Sequence, residues 1–391
     1  MVSGCIPIAV EHLQVHSEIG YDLVDAKGLL LLKAGEKISP ALISQFNRRG
    51  VRTVYLRRVA GATAAEAPQG TEEGAFSAAS IGNRLFSGVA ALSNQLVSGK
   101  IVSTEALVQS FETVDRHCQA DRFTVLADAI SSSNAHEGSP HHRGMRSAMI
   151  SSAVALEMDL DSRARQLLFG AALMSDISLQ MPRFVELRDQ ELRSVEQEHE
   201  LRELYRQHPE SSARLLETRM PDADPTMLTI IRQSHELCDG SGFPRGLRRH
   251  LLHPLSRIVV VVDAFVRLTE TDSAGENIGL VPADALAYLV LHALYGVFDL
   301  EVVKALVATT AAYPVGTAVK LDDQRQATVV RSQGKHYLDP VVRIDGQTDL
   351  VDLRRAGIRI EAPLTAKSWR RLPKSLMNRR LWEPAFAPSS L

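Results

Sequence analysis

The sequence predicts a mainly α protein, an all-helical domain flanked by a small α+β unit on its amino-terminal side and a short β unit on its carboxy-terminal side. Three observations predict it. Apolar residues recur at mostly helical spacing through the middle of the chain, as in Ala148, Ile150, Ala153, Val154 and Leu156 and again in Leu167, Leu168, Ala171, Ala172 and Leu173. Short alternating runs with turn residues fall before residue 58 and after residue 313. A stretch rich in Ala, Gly and Glu over 60–74 parts the first unit from the rest. The expected boundaries are 1–58 for the α+β unit, 59–76 for a linker, 77–312 for the helical domain, 313–362 for the β unit and 363–391 for a basic tail. A length of 391 residues fits such a division.

Within the first unit, Asp22–Gly28 followed by Leu29–Leu32 predicts a hairpin turning at Ala26-Lys27-Gly28. Ser39 and Pro40 open a helix as its cap and first residue. Gly50 closes that helix, and Val51–Leu56 alternates like a strand. In the helical domain, Ile258–Leu268 is rich in β-branched residues and could pass for a buried strand. Its helical neighbours and lack of internal turn signals favour a buried helix. Tyr313-Pro-Val-Gly316 ends the helical pattern, and Thr317–Leu321, Ala327–Arg331 and Val341–Ile344 read as strands.

Composition excludes several function classes. With 45% hydrophobic and 23% charged residues the chain is ordinary globular material, and a net charge of -2 gives nucleic acid no electrostatic handle. Cys5, Cys118 and Cys238 form no CxxC pair, which fits a reducing compartment better than a disulfide framework or a zinc ribbon. No apolar run is long enough to span a bilayer, and the first twenty residues lack a signal-peptide pattern. A cytoplasmic location is the expectation.

The most specific segment is Ser234-His-Glu-Leu-Cys-Asp-Gly-Ser-Gly-Phe-Pro-Arg-Gly-Leu247. Taken alone it is a loop dense in Gly and Pro. Its core, Asp239, Gly240, Ser241, Gly242, Phe243 and Pro244, resembles the signature of the HD-GYP family, metal-dependent cyclic di-GMP phosphodiesterases. Other landmarks follow in the family's order. Leu173-Met-Ser-Asp-Ile177 resembles the HD core, and Gln207-His-Pro-Glu210 the His-Pro segment. Arg257–Phe265 resembles the Arg-Ile-Leu-x-x-x-Asp-x-Phe helix, and Tyr313–Leu321 a stretch that often follows the domain. The front unit is similar to the amino-terminal domain attached to some members. The resemblance implies an HD-type helical fold.

It also implies a damaged metal site. Asp176, His208, His235 and Asp263 match the family's ligands, with Asp176 as the catalytic remnant. Arg143, Ser175 and Ser234 stand where three ligand histidines belong. Ser178-Leu179 replaces the family's Gly-Lys pair, and Val266 its second carboxylate in the Asp-x-Phe-Asp helix. Serine is a poor ligand for a divalent transition metal, and arginine is a permanent cation. A conventional two-metal hydrolase is therefore not expected. Two readings explain the survivors. In one, Arg143 replaces the lost metal charge and pairs with Asp176 or Asp263. In the other, His141 or His142 acts as a displaced ligand and the set holds one divalent ion, iron or manganese. Against both stands the plainer possibility that His208 and His235 are satisfied core histidines.

Arg245, Arg248, Arg249 and Arg257 follow the signature loop and could meet a nucleotide phosphate or form a solvated basic face. The segment 367–382 mixes six cations with two tryptophans, as a docking element or a disordered end would. The resemblance implies a degenerate member in bacterial cyclic di-GMP signalling, without cofactor, acting by protein contact (with diguanylate cyclases, for example) or by nucleotide sensing. Phe243 in place of Tyr keeps an aromatic face for such a contact. The alternative is a residual phosphodiesterase with a rearranged site.

Overall fold

The computed structural model describes residues 6–10, 22–25, 27–33, 36–49, 51, 53–57, 81–131, 140–189, 195–270 and 279–364. Ala26, the Gly50 helix end, the linker and the basic tail from residue 365 lie outside the described residues. The chain divides into two compact units, one within Met1–Glu73 and Ala366–Leu391, the other within Gly74–Thr365.

The first unit holds β1 (Ile6–Ala9), β2 (Asp22–Val24), β3 (Leu30–Leu32), α1 (Pro40–Arg48) and β4 (Thr53–Arg57). The strands form one antiparallel sheet in the order β1-β4-β2-β3. At the β2–β3 turn, Asp25 accepts the backbone N–H groups of Lys27 and Leu29 at 2.8 and 2.9 Å. Gly28 takes a φ of 82°, which a side chain would oppose. Ser39 caps α1 by accepting the Leu42 N–H at 3.1 Å. Strand β1 has no counterpart among the predicted elements. It is four residues long and contains Pro7, which a sheet tolerates at an edge, where β1 lies.

The second unit opens with the helices α2 (Ile81–Val97), α3 (Glu105–Ser131), α4 (Pro140–Glu157), α5 (Ser162–Met174), α6 (Pro182–Asp189) and α7 (Val195–Arg219). The helices α8 (Pro225–Arg232), α9 (Pro254–Thr269), α10 (Pro282–Leu294) and α11 (Leu300–Thr310) follow. The protein is mainly α, as the helical spacing predicts. α4, α5 and α9 form the centre: Ala148, Ile150, Val154, Leu168, Phe169, Ala172, Val261, Val262 and Phe265 are almost wholly buried there. The β-branched run of α9 is thereby explained. A helix buried on nearly every side has no polar stripe to show, so its sequence resembles that of a buried strand. α4 and α5 approach closely at Gly144, where a Cβ would stand 2.5 Å from the Leu173 carbonyl oxygen.

An antiparallel sheet closes the unit. It is built from β5 (Ala318–Leu321), β6 (Gln326–Arg331), β7 (Val341–Ile344), β8 (Leu350–Asp352) and β9 (Ile360–Pro363), with α12 (Leu353–Ala356) between the last two. The order is β8-β7-β6-β5-β9, so the three predicted strands are its middle and the two unpredicted short ones its edges. Val319, Leu321, Ala327, Val329, Val342, Ile344 and Leu353 form its core. The Ser332 hydroxyl donates to the Ala308 carbonyl of α11 at 2.7 Å, tying sheet to helices. Among the described residues no helix is long and apolar enough to cross a membrane.

Candidate functional site

Four stretches of chain deliver the polar centre. Asp176 follows α5 and starts a short 3-10 turn, Ile177–Gln180. His208 comes from the middle of α7, where Pro209 also sits. Proline has no N–H to offer the carbonyl four residues back, so the carbonyl of Tyr205 loses its helix partner. His208 Nδ1 takes that carbonyl as its partner. This contact turns Nε2 inward. His235 lies just beyond α8, and α9 supplies Asp263 and Arg267.

Asp176 is the hub. Its Oδ1 lies 3.2 Å from His208 Nε2 and 3.6 Å from His235 Nε2, and the two Nε2 atoms are 2.9 Å apart. Its Oδ2 accepts from Arg267 Nη2 at 2.7 Å and from Arg143 Nη1 at 3.2 Å. Arg143 also donates through Nε to Glu270 at 2.8 Å, and it does not pair with Asp263. Arg267 instead holds Asp263, with Nε 2.6 Å from Oδ2, while its Nη1 donates to the Tyr205 hydroxyl at 3.0 Å. Burial alone would raise the Asp176 carboxyl. Arg267 and the two histidines outweigh it and hold the group well below the usual carboxylate range. The same two carboxylates raise the Arg267 guanidinium against the opposing effect of burial. Burial, the largest effect, lowers the His235 pKa, with the Asp176 hydrogen bond opposing it.

Among the described residues, the donor atoms that converge as a metal site would require come from Asp176, His208 and His235, all within 4.8 Å of one another. Asp263 is not in that group. It stands 3.5 Å from His235 Nδ1, behind the ring. His141 and His142 are not in it either. Ser175 donates its hydroxyl back to the Ala172 carbonyl of its own helix at 3.3 Å. Ser234 is buried, with no hydrogen-bond partner for its hydroxyl among the described residues. Neither serine contributes a ligand.

The residues do not fit a resident metal centre while Arg267 stands where it does. Its Nη2 is 2.7 Å from one ligand residue and 3.5 Å from His235 Nε2, another ligand atom. A divalent ion about 4 Å from a guanidinium meets a repulsion of roughly 8 kcal/mol at an effective dielectric near 20. Two arginines already oppose the three carboxylates of Asp176, Asp263 and Glu270, so little negative charge is left for a further cation.

The signature loop is built around Glu236, which is 0% exposed and accepts the N–H groups of Arg245 and Leu247 at 2.8 and 2.7 Å. Gly242 has no room for a side chain, since a Cβ would lie 2.3 Å from the Leu237 nitrogen. The Phe243–Pro244 peptide is cis. Asp239 accepts from the Ser241 N–H and hydroxyl at 3.0 and 2.7 Å, and Gly240 packs against Arg248. The expectation that Phe243 offers an aromatic face to a partner is corrected here. The ring is 8% exposed and stacks on His235, with centroids 5.0 Å apart, because it closes the apolar side of the histidine pair. Arg249 and Arg257 converge on Asp299 at 3.1 and 2.7 Å, and hold its carboxyl low despite the opposing effect of burial. Arg245 and Arg248 are exposed.

Arg267 was absent from the sequence-derived site. The signal was present: an arginine four residues after Asp263 on a helix faces the same side as that carboxylate.

Residues 124–302 match the HD domain family model. A cyclic di-GMP phosphodiesterase of Pseudomonas aeruginosa is 31% identical over 163 residues, covering 39% of this chain. The match spans 38% of that relative's own length. With the HD-type helices, the Asp176–His208–His235 cluster and the signature loop in place, these two likenesses support an HD-GYP-like family for this region of the chain.

Proposed function

We propose that the chain serves cyclic di-GMP signalling without hydrolysing the nucleotide, acting by nucleotide sensing or by contact with signalling proteins such as diguanylate cyclases. One observation carries the non-hydrolytic reading: the Oδ2 of Asp176 is committed to the guanidinium groups of Arg267 and Arg143. Two-metal phosphodiester hydrolysis needs ions to generate the attacking hydroxide and to stabilise the displaced oxygen. Here fixed cations take the carboxylate on which such ions would depend, and three imidazole positions are Arg143, Ser175 and Ser234. The cyclic di-GMP connection is supported by the similarity to the Pseudomonas enzyme. A partner at the signature loop would meet the exposed Asp239, Ser241, Arg245 and Arg248, since Phe243 is turned inward. A cytoplasmic setting belongs to the same reading.

A second reading, residual phosphodiesterase activity from a rearranged site with one iron or manganese ion, is favoured by the convergence of Asp176, His208 and His235. The test is incubation of the purified chain with cyclic di-GMP and either Mn²⁺ or Fe²⁺, with product analysis and equilibrium binding run side by side. Nucleotide binding without linear product is expected of a sensor, and neither binding nor product of a contact protein. Repeated turnover would overturn the proposal and favour the second reading.

A further inference from the structure

We propose that the Arg267 guanidinium is a resident surrogate for a metal ion, and that Asp176, His208 and His235 form a latent mononuclear site which it holds closed. The inference rests on the geometry of the cluster and stands whether or not the chain binds cyclic di-GMP.

The guanidinium does what a cation at this place would do. It bridges two carboxylates from different elements, Asp176 after α5 and Asp263 in α9, at 2.7 and 2.6 Å. It also engages the Tyr205 hydroxyl of α7 and comes within 3.5 Å of His235 Nε2. Three elements are thus tied by one charge, as a metal ties its ligands.

The set behind it is oriented for coordination. His208 Nδ1 is bound to the Tyr205 carbonyl, which leaves Nε2 as the inward donor. His235 has Asp263 behind Nδ1, the carboxylate–imidazole arrangement that raises the basicity of a ligand histidine. Asp176 divides its two oxygens. Oδ1 faces both histidines while Oδ2 faces the arginines, so a ligand oxygen remains even with Arg143 in place. One carboxylate and two imidazoles are a common donor set for first-row divalent metals. The feature that separates this cluster from a site is the side chain of Arg267.

Removing that side chain should open the site. Arg267→Ala and Arg267→Leu, which keeps an apolar side chain and removes the charge, are titrated with Co²⁺ beside the wild type. Visible absorption and the melting temperature in Co²⁺ and in EDTA are followed. Wild-type protein is expected to melt at the same temperature in both and to bind Co²⁺ weakly. The variants should melt lower in EDTA, recover in Co²⁺, and bind one equivalent at least 100-fold more tightly than the wild type. Adding His208→Ala should abolish that gain. A folded variant that binds Co²⁺ no better than the wild type would overturn the proposal, as would stoichiometric uptake by the wild type. If neither variant folds with or without Co²⁺, the wild-type arm decides: exclusion of Co²⁺ supports the proposal and stoichiometric uptake overturns it.

Discussion

At the scale of single residues, the charge of the centre is carried by two arginines with different loads. Arg143 is the one the sequence offered, because the family resemblance sets it at a ligand histidine position, and the structure pairs it with Asp176 as one of the two expected partners. Its shorter contact is with Glu270, which no motif pointed to. Replacing Arg143 by Ala strands Glu270 and half-strands Asp176, and the expected loss is about 3 kcal/mol, typical of stripping one partner from a buried pair. Denaturant melts of the variant check it, and an unchanged midpoint would show that Arg267 alone balances the centre. That Asp176, His208 and His235 lie together was legible in the sequence, because residue types at family positions survive as letters. What filled the gap was not, since the motif assigns no role to position 267 and only helical geometry brings it onto Asp176.

Among the elements, α9 supplies Asp263 and Arg267, and its start is set by His253. The ring Nδ1 accepts the Leu255 N–H at 3.2 Å, a cap that requires an unprotonated nitrogen. Burial, and then Arg257, push the His253 pKa down. A group depressed in the folded state contributes stability that is present above its unfolded pKa, about 6.5 for histidine, and lost as pH falls toward the folded value. Acidification from pH 7 to 5.5 should therefore lower the melting temperature. His253→Asn keeps a capping oxygen and removes the titration, so it should flatten that slope. Equal slopes in both proteins would assign the acid sensitivity elsewhere. The helix itself was readable from its neighbours although its β-branched composition argued for a strand. The edge strands β1, β8 and β9 were not predicted, and their length alone does not account for it, since β5 and β7 are as short and were.

On the scale of the whole helical unit, the fold class was legible and the wiring of the centre was not. Spacing reports which face of a helix is apolar, but not which helices meet or what fills the space between them. The polar cluster joins residues as far apart as Arg143 and Glu270, which are 127 positions distant in sequence. That separation has a kinetic consequence. Contacts across long loops are rewarded only after the intervening chain has been ordered, so helices form and collapse before these ion pairs close. The cluster should then act as a latch on the native state and contribute little to the folding transition state. Loss of Arg143 is expected to appear almost wholly as faster unfolding, with the refolding rate nearly unchanged. Stopped-flow measurement of both limbs would show it, and a slowed refolding limb would place the ion pairs inside the nucleus. Under the proposed non-hydrolytic reading, slow unfolding is what the buried charges would offer: they would set how long the folded unit lasts.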